Sequence, residues 1–290
     1  MARYEFWDPS NSDRLQALKD NSLFRNRLLP DIKQGDVFPA MRKRKIDFYF
    51  RGRKLCSFDG GEFRANIAYL AAFEDRPKGE IKEEEFRNLR VCSSFESGYP
   101  QIKKNIELHE QPESGGVFSL CRAHSLFNDS YSGPVGVLDV ELSIEALDNT
   151  RSQDRIDLVL FHGEQKELRF FEVKTFRNKE IWPNEDNDVD VDRQIGRYRD
   201  QLTKRKSELL EGYQEYVSRM SFLLDVALPT PGSLDLEPDL LLIDFDGEQQ
   251  KTINEILLPA FKNRFRCCLI GDPKRATAAT LEKWWKNRAT

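Results

Sequence analysis

No apolar run in this 290-residue sequence approaches the roughly 20 residues that a membrane-spanning helix needs, so no membrane association is expected. The opening "MARYEFWDPSNSDRLQ" has no apolar core of the kind a secretory signal carries, and none is expected here. Histidine is scarce. His109, His124 and His162 stand in neither HExxH nor HxH spacing, which sets aside zinc-protease and HD-type hydrolase chemistry. There is no GxxxxGK[ST], no GxGxxG behind a strand and no GxSxG, so ATP hydrolysis, dinucleotide binding and serine-hydrolase chemistry have no sequence support. The five cysteines form no CxxC and no even framework, which suits reduced thiols and a cytoplasmic protein.

Charge is plentiful and unevenly spread. The net value of −4 argues weakly against a generic polyanion binder. It conceals basic runs at 41–54 ("MRKRKIDFYFRGRK"), at 193–206 ("RQIGRYRDQLTKRK") and through the last thirty residues. Between them, 180–192 ("EIWPNEDNDVDVD") is acidic throughout and reads as a disordered loop, since its "DNDVDVD" lacks the glycine and glutamate of a calcium loop. Taken together the basic segments suggest a surface for a phosphate backbone. Aromatics flank several of them ("FYFRGRK", "RYRD", "KWWKN"), as stacking platforms for single strands or flipped bases would. Trp284 and Trp285 serve equally well as caps on the core.

Along the chain, "NSDRLQALKDNSLFRNRLLPDI" has helical spacing behind cap residues, and "KIDFYFRGRKLCSFDGG" reads as a hairpin turning at Arg51–Gly52. Helices are expected at 61–74 and about 81–91, and the rest of 93–134 is not assigned. Three strands follow, in "VGVLDVELSIEAL", "RIDLVLF" and "LRFFEVKTF", with "HGEQKE" as a tight turn that leaves His162 at the surface. A long helix at about 191–220, a buried strand in "DLLLIDFD", a helix, a strand in "FRCCLIGD" and a final helix complete the order. This predicts an α/β fold with a mixed sheet flanked by helices.

The stretch "FFEVKTF" carries the chemistry. Strand alternation sets Glu172 beside Lys174, with Phe171, Val173 and Thr175 pointing the other way. Asp157 lies on the preceding strand, and the hairpin brings it to Glu172. Two carboxylates at close range repel unless a cation lies between them. Hard oxygens of this kind suit Mg²⁺ or Mn²⁺, with the Val173 carbonyl as a third protein ligand. Lys174 beside the metal could orient or deprotonate a water and stabilise charge on a phosphate, which is what metal-dependent phosphodiester hydrolysis requires.

"RIDLVLF…FFEVK" resembles the D…(D/E)xK core of the PD-(D/E)XK nuclease superfamily. The helix opening "RQIGRYRDQL" is similar to the QxxxY motif of its RecB-like and Cas4-like branches, with Gln194 and Tyr198 on one helical face. The resemblance covers about 135–220, and a strand at 239–246 agrees with it. It implies a restriction-endonuclease-like αβββαβ core over 131–290, with 1–130 as an N-terminal α+β accessory region for substrate or partner recognition. It further implies a nuclease, DNA favoured, in which Asp157 and Glu172 bind the metal, Lys174 assists the water, and Gln194 and Tyr198 position water or phosphate. Arg193, Arg197, Lys204 and Arg205 would contact the nucleic acid. The upstream acid of such sites is Glu141 by first choice, which shares its strand face with Asp139, or Glu62. Some relatives hold an iron–sulfur cluster, but Cys56, Cys92, Cys121, Cys267 and Cys268 do not cluster in sequence, and none is expected. By analogy, a small nuclease with no motor fits phage defence or mobile elements. Two other outcomes stay open: a nucleic-acid-binding protein without catalysis, or an effector activated by a protein partner, its site masked by the acidic loop.

Overall fold

The structure, a computed structural model, describes residues 12–42, 44–66, 80–82, 94–107, 112–147, 153–186, 188–262 and 264–286. Helix α1 (Ser12–Asp20), a π-helical turn (Phe24–Leu28) and α2 (Leu29–Lys33) lead into an antiparallel five-stranded meander. Its strands are β1 (Phe38–Arg42), β2 (Lys45–Phe50), β3 (Arg53–Phe58), β4 (Phe63–Asn66) and β5 (Glu80–Lys82). The β2–β3 connection is the expected hairpin: Arg51 and Gly52 both have positive φ, as a two-residue turn of matching twist demands. The helix expected at 61–74 is instead strand at 63–66, where Phe63 and Ala65 are buried and Arg64 is not. That alternation is period two, and it outweighs the helix-forming composition. Strand β5 likewise replaces the start of the helix expected at 81–91; the remainder of both expected helices lies outside the described residues.

Helices α3 (Phe95–Glu107) and α4 (Pro112–His124) come next, in the stretch the sequence left unassigned. The second sheet is built from β6 (Val135–Glu145), β7 (Gln153–His162), β8 (Glu167–Thr175), β10 (Asp239–Ile243) and β11 (Arg266–Ile270), ordered β11-β10-β8-β7-β6, with β9 (Ser233–Leu234) added to β8. Strands β6, β7 and β8 form an antiparallel meander, whereas β10 is parallel to both β8 and β11. All five residues of β10 are buried, as expected of a central parallel strand covered on both faces.

The crossover from β8 to β10 contains two helices, not the single one expected at 191–220. Helices α5 (Asp190–Lys204) and α6 (Lys206–Leu224) meet at Arg205, whose backbone leaves the helical region at φ −114° and ψ 20°. Helices α7 (Gly247–Thr252) and α8 (Leu258–Phe261), joined by a π-helical turn, cross from β10 to β11, and α9 (Ala278–Lys286) closes the order. Here Trp284 and Trp285 are buried and cap the core.

One apolar core runs from Leu15 to Trp285 and joins both sheets. Helix α4 packs on β6, β8 and β1, and Gly116 of that helix leaves room for Ile243: a Cβ there would meet Ile243 Cδ1 at 2.3 Å. Arg42 of β1 reaches across to the fully buried Asp139 of β6 at 3.0 Å. The acidic segment is folded, contrary to the expected disorder. Ile181, Val189 and Val191 are buried with Leu240, Leu242 and Phe261 in a second apolar cluster, so its apolar residues anchor it while Glu185, Asp186, Asp188 and Asp190 are exposed. Among the described residues no helix is long and apolar enough to cross a membrane.

Candidate active site

Strands β7 and β8 pair from the His162–Glu167 end only as far as Leu158 and Phe171. Beyond that point β7 stays with β6, Ile156 opposite Leu142, while β8 stays with β10, Glu172 opposite Leu240 and Lys174 opposite Leu242. The two ladders part like a fork. Asp157 and Glu172, next in register, stand where they separate. The Asp157 carboxylate accepts the Val173 amide at 3.0 Å, satisfying a main-chain donor that β7 no longer meets. The carbonyl of a strand residue points to the same side as its amide, so that of Val173 also faces the fork.

Helix α5 fills the gap. The Tyr198 hydroxyl lies 3.0 Å from Glu172 Oε2 and against the Arg155 carbonyl, and it donates its one proton between these two acceptors. Gln194 Nε2, one turn earlier, donates to the same hydroxyl oxygen at 2.7 Å. One turn later, Gln201 donates to the Glu145 carbonyl and to Asp154, each at 2.9 Å. The helix is thus tied to both tines of the fork. Steps of three and four residues put these groups on one stripe, beside the buried Ile195 and Leu202.

Lys174 donates to Glu172 at 2.8 Å, as strand alternation required, and to Glu180 at 2.5 Å. Glu180 sits on the short 3₁₀ turn Lys179–Ile181, held by Asn178 Oδ1, which accepts its amide at 2.9 Å. Asp157, Glu172, Lys174, Gln194 and Tyr198 line a polar cavity of about 350 Å³ that also receives Asp154, Arg155 and Arg197.

The electrostatics follow from burial. Loss of water and the neighbouring Glu172 charge hold the Asp157 carboxyl well above the usual aspartate range, although the Val173 amide and Arg155 oppose this. Burial raises Glu172 as well, against the pull of Lys174 and Tyr198. Burial disfavours the Lys174 ammonium, yet Glu172 and Glu180 together keep it above the ordinary lysine value. Burial, then the Glu172 charge, drives the Tyr198 phenol far up, so it remains a protonated donor.

Two buried acids, each held above its usual range and both facing a polar cavity with a main-chain carbonyl alongside, are a donor set that fits a hard divalent cation. Among the described residues no group of three or more His, Cys, Asp or Glu side chains gathers as a metal cage.

Asp157, Glu172, Lys174, Gln194 and Tyr198 are therefore brought together. Glu141 lies opposite Asp157 in register but takes a positive φ of 54° and binds Arg155 at 3.0 Å, on the wall of a neighbouring cavity. It does not share the surroundings of Asp139, which is fully buried with Arg42 and Tyr213. Glu62 precedes β4, pairs with Arg64 at 3.3 Å, and lines neither cavity. Of the cations, Arg197 faces the cavity, Arg193 is exposed beside Asp190, and Lys204 is exposed at the end of α5. Arg205 is half-buried at the helix break and donates to the Glu145 carbonyl. His162 is buried against Trp285 at 5.4 Å and not a surface turn residue, because α9 folds over the hairpin. Asp154, Arg155 and Glu180 join the site without having been singled out. Only the acid content of 180–192 pointed towards Glu180.

No family model matches the chain, and neither the curated proteins nor the solved structures contain a match to it.

Proposed function

We propose that this protein is a metal-dependent phosphodiesterase of the PD-(D/E)XK type, acting on nucleic acid and most naturally on DNA. One observation carries the reading: Asp157 and Glu172 face a single cavity at the point where their strands part, with Lys174 at 2.8 Å from Glu172 and Tyr198 closing behind it. The order helix, three-strand meander, helices, parallel strand (α4, β6 to β8, α5 and α6, β10) is in keeping with an αβββαβ restriction-endonuclease-like core.

Asp157, Glu172 and the Val173 carbonyl would hold Mg²⁺ or Mn²⁺, which when bound polarises a phosphate oxygen and acidifies water. The chain's own groups do the rest. Lys174 presents an ammonium to the developing negative charge on the phosphate. Tyr198 and Gln194 fix the Glu172 carboxylate in one orientation, and Arg197 with the exposed Arg193 draws in the backbone.

The test is cleavage of linear, circular, single-stranded and double-stranded DNA with Mg²⁺ or Mn²⁺, by wild type beside Lys174→Ala and Asp157→Ala. Loss of cleavage in both variants supports the assignment; binding by wild type with no cleavage in either metal overturns it. A second reading, an effector that a protein partner switches on, is favoured by the Glu180–Lys174 contact at 2.5 Å. There the acidic turn occupies the ammonium that a phosphate would need, and the partner would draw it away.

A further inference from the structure

A second cavity, of about 280 Å³, lies against the first and shares Asp157 and Arg155 with it. Its far wall comes from the N-terminal sheet: Phe38 of β1, Tyr49 of β2 and Gly52 at the tip of the β2–β3 hairpin. Phe118 of α4 forms another side. The rings of Phe38 and Phe118 are buried and packed against neighbouring rings, Phe127 at 5.6 Å and Phe50 at 6.1 Å. Tyr49 is only half-buried. Glu141 and Asp157 supply carboxylates, which disfavour a phosphate inside the cavity. A flat, uncharged, aromatic group fits the walls, and the volume lies at the lower end of small-molecule sites, enough for one such group and not a stack. Arg155, half exposed on the common rim and paired to Glu141 at 3.0 Å, stands where the sugar–phosphate chain would pass from one cavity to the other.

We propose that this second cavity receives one unpaired nucleobase of the DNA strand whose neighbouring phosphate lies at Asp157 and Glu172; this rests on the phosphodiesterase reading above. The N-terminal sheet then selects substrate by demanding a base that is free to leave its stack, in a single strand, at an end or by flipping. Stacking on an aromatic ring is tolerant of base identity, so the requirement is for an unpaired base more than for a particular sequence.

The experiment measures binding of short single DNA strands in EDTA, each carrying one abasic site, or one 2-aminopurine, at successive positions. At one position the abasic strand is expected to bind roughly tenfold more weakly, the size of losing one stacked base, and the 2-aminopurine emission to be quenched. Tyr49→Ala should reduce the affinity for the intact strand to that for the abasic one, while Tyr49→Phe keeps both the affinity and the quenching. Circular dichroism shows whether the alanine variant is folded, and the phenylalanine variant keeps the test open if it is not. Indifference to the abasic site at every position, unchanged binding by Tyr49→Ala, or no binding of any strand would each overturn the proposal. Cleavage with Mg²⁺ that ignores the missing base refutes the pocket and leaves the phosphodiesterase; base-dependent binding without cleavage does the reverse.

Discussion

The Asp157 carboxylate accepts the Val173 amide at 3.0 Å while burial, and then the charge of Glu172, the neighbour of Val173 on the same strand, push the Asp157 carboxyl upward. A single side chain therefore does two things: it closes a gap in the main-chain hydrogen bonding and stores repulsion that a divalent cation would relieve. These roles separate by mutation. Asp157→Asn keeps an oxygen for the Val173 amide and removes the charge. Cleavage should fall by roughly two orders of magnitude or more, as with other losses of preorganised charge, while the melting temperature in the absence of metal stays level or rises. A fall in both would mean that the carboxylate is structural.

Cation binding should be visible without any substrate. A ligand that binds only the folded chain stabilises it by about 2.7 kcal/mol at a hundred times its dissociation constant. Titration of Mn²⁺ or Mg²⁺ should raise the wild-type melting temperature by several degrees, and leave Asp157→Asn and Glu172→Gln unmoved. An equal rise in all three would place the cation elsewhere.

Why could the reactive residues be read from the chain when their surroundings could not? Glu172 and Lys174 are two apart on a strand, and Gln194 and Tyr198 are four apart on a helix, so backbone periodicity alone sets each pair side by side. Asp157 needed only a tight hairpin. The fork between β7 and β8, by contrast, depends on which partner each strand keeps, β6 or β10, and that choice is non-local. Asp154 and Arg155 enter the site through it, and Glu180 through the 3₁₀ turn that follows β8. The same limit explains 63–66, where helix-forming composition gave way to cross-strand pairing. It explains the acidic run too, whose charge hid three anchoring apolar residues, Ile181, Val189 and Val191.

Glu180 is expected to act as a restraint on Lys174. It is half exposed, and a pair of that kind contributes about 0–1 kcal/mol. Glu180→Gln should therefore leave the melting temperature within about two degrees of wild type and raise basal DNA cleavage by up to roughly fivefold, the kinetic equivalent of that energy. A marked loss of cleavage would instead make Glu180 part of the reactive machinery.

Acid should weaken the fold through its buried histidines. Burial lowers the pKa of both His124 and His162 below the free value of 6.5. His124 sets Nε2 at 3.0 Å from the Ala276 carbonyl, and its Nδ1 finds no protein partner, so a second proton has nowhere to go. The unfolded chain binds that proton more readily, so the stabilisation is complete above 6.5 and is lost as pH falls towards the folded-state values. Each unit of difference corresponds to about 1.4 kcal/mol. Urea midpoints measured down through this window should decline, and more shallowly in His124→Gln; parallel slopes would assign the effect to other groups.

One link between the two sheets is ionic and buried. Arg42 of β1 donates to Asp139 of β6 at 3.0 Å and to the Val140 carbonyl next to it, with Tyr213 on the other carboxylate oxygen at 3.2 Å. Burial raises the Asp139 carboxyl, and Arg42 is the largest opposing influence. Removing the arginine alone leaves a fully buried carboxylate without its charge partner, so Arg42→Ala should cost about 3–5 kcal/mol in urea unfolding. Desolvation of both partners means that the intact pair adds far less than that figure. Arg42→Met with Asp139→Leu should accordingly recover most of the loss, because it removes the pair and its desolvation cost together. If the double variant is as unstable as the single one, the pair is needed for the geometry by which β1 carries Phe38 to the wall of the second cavity. DNA binding by the double variant would then fall with its stability.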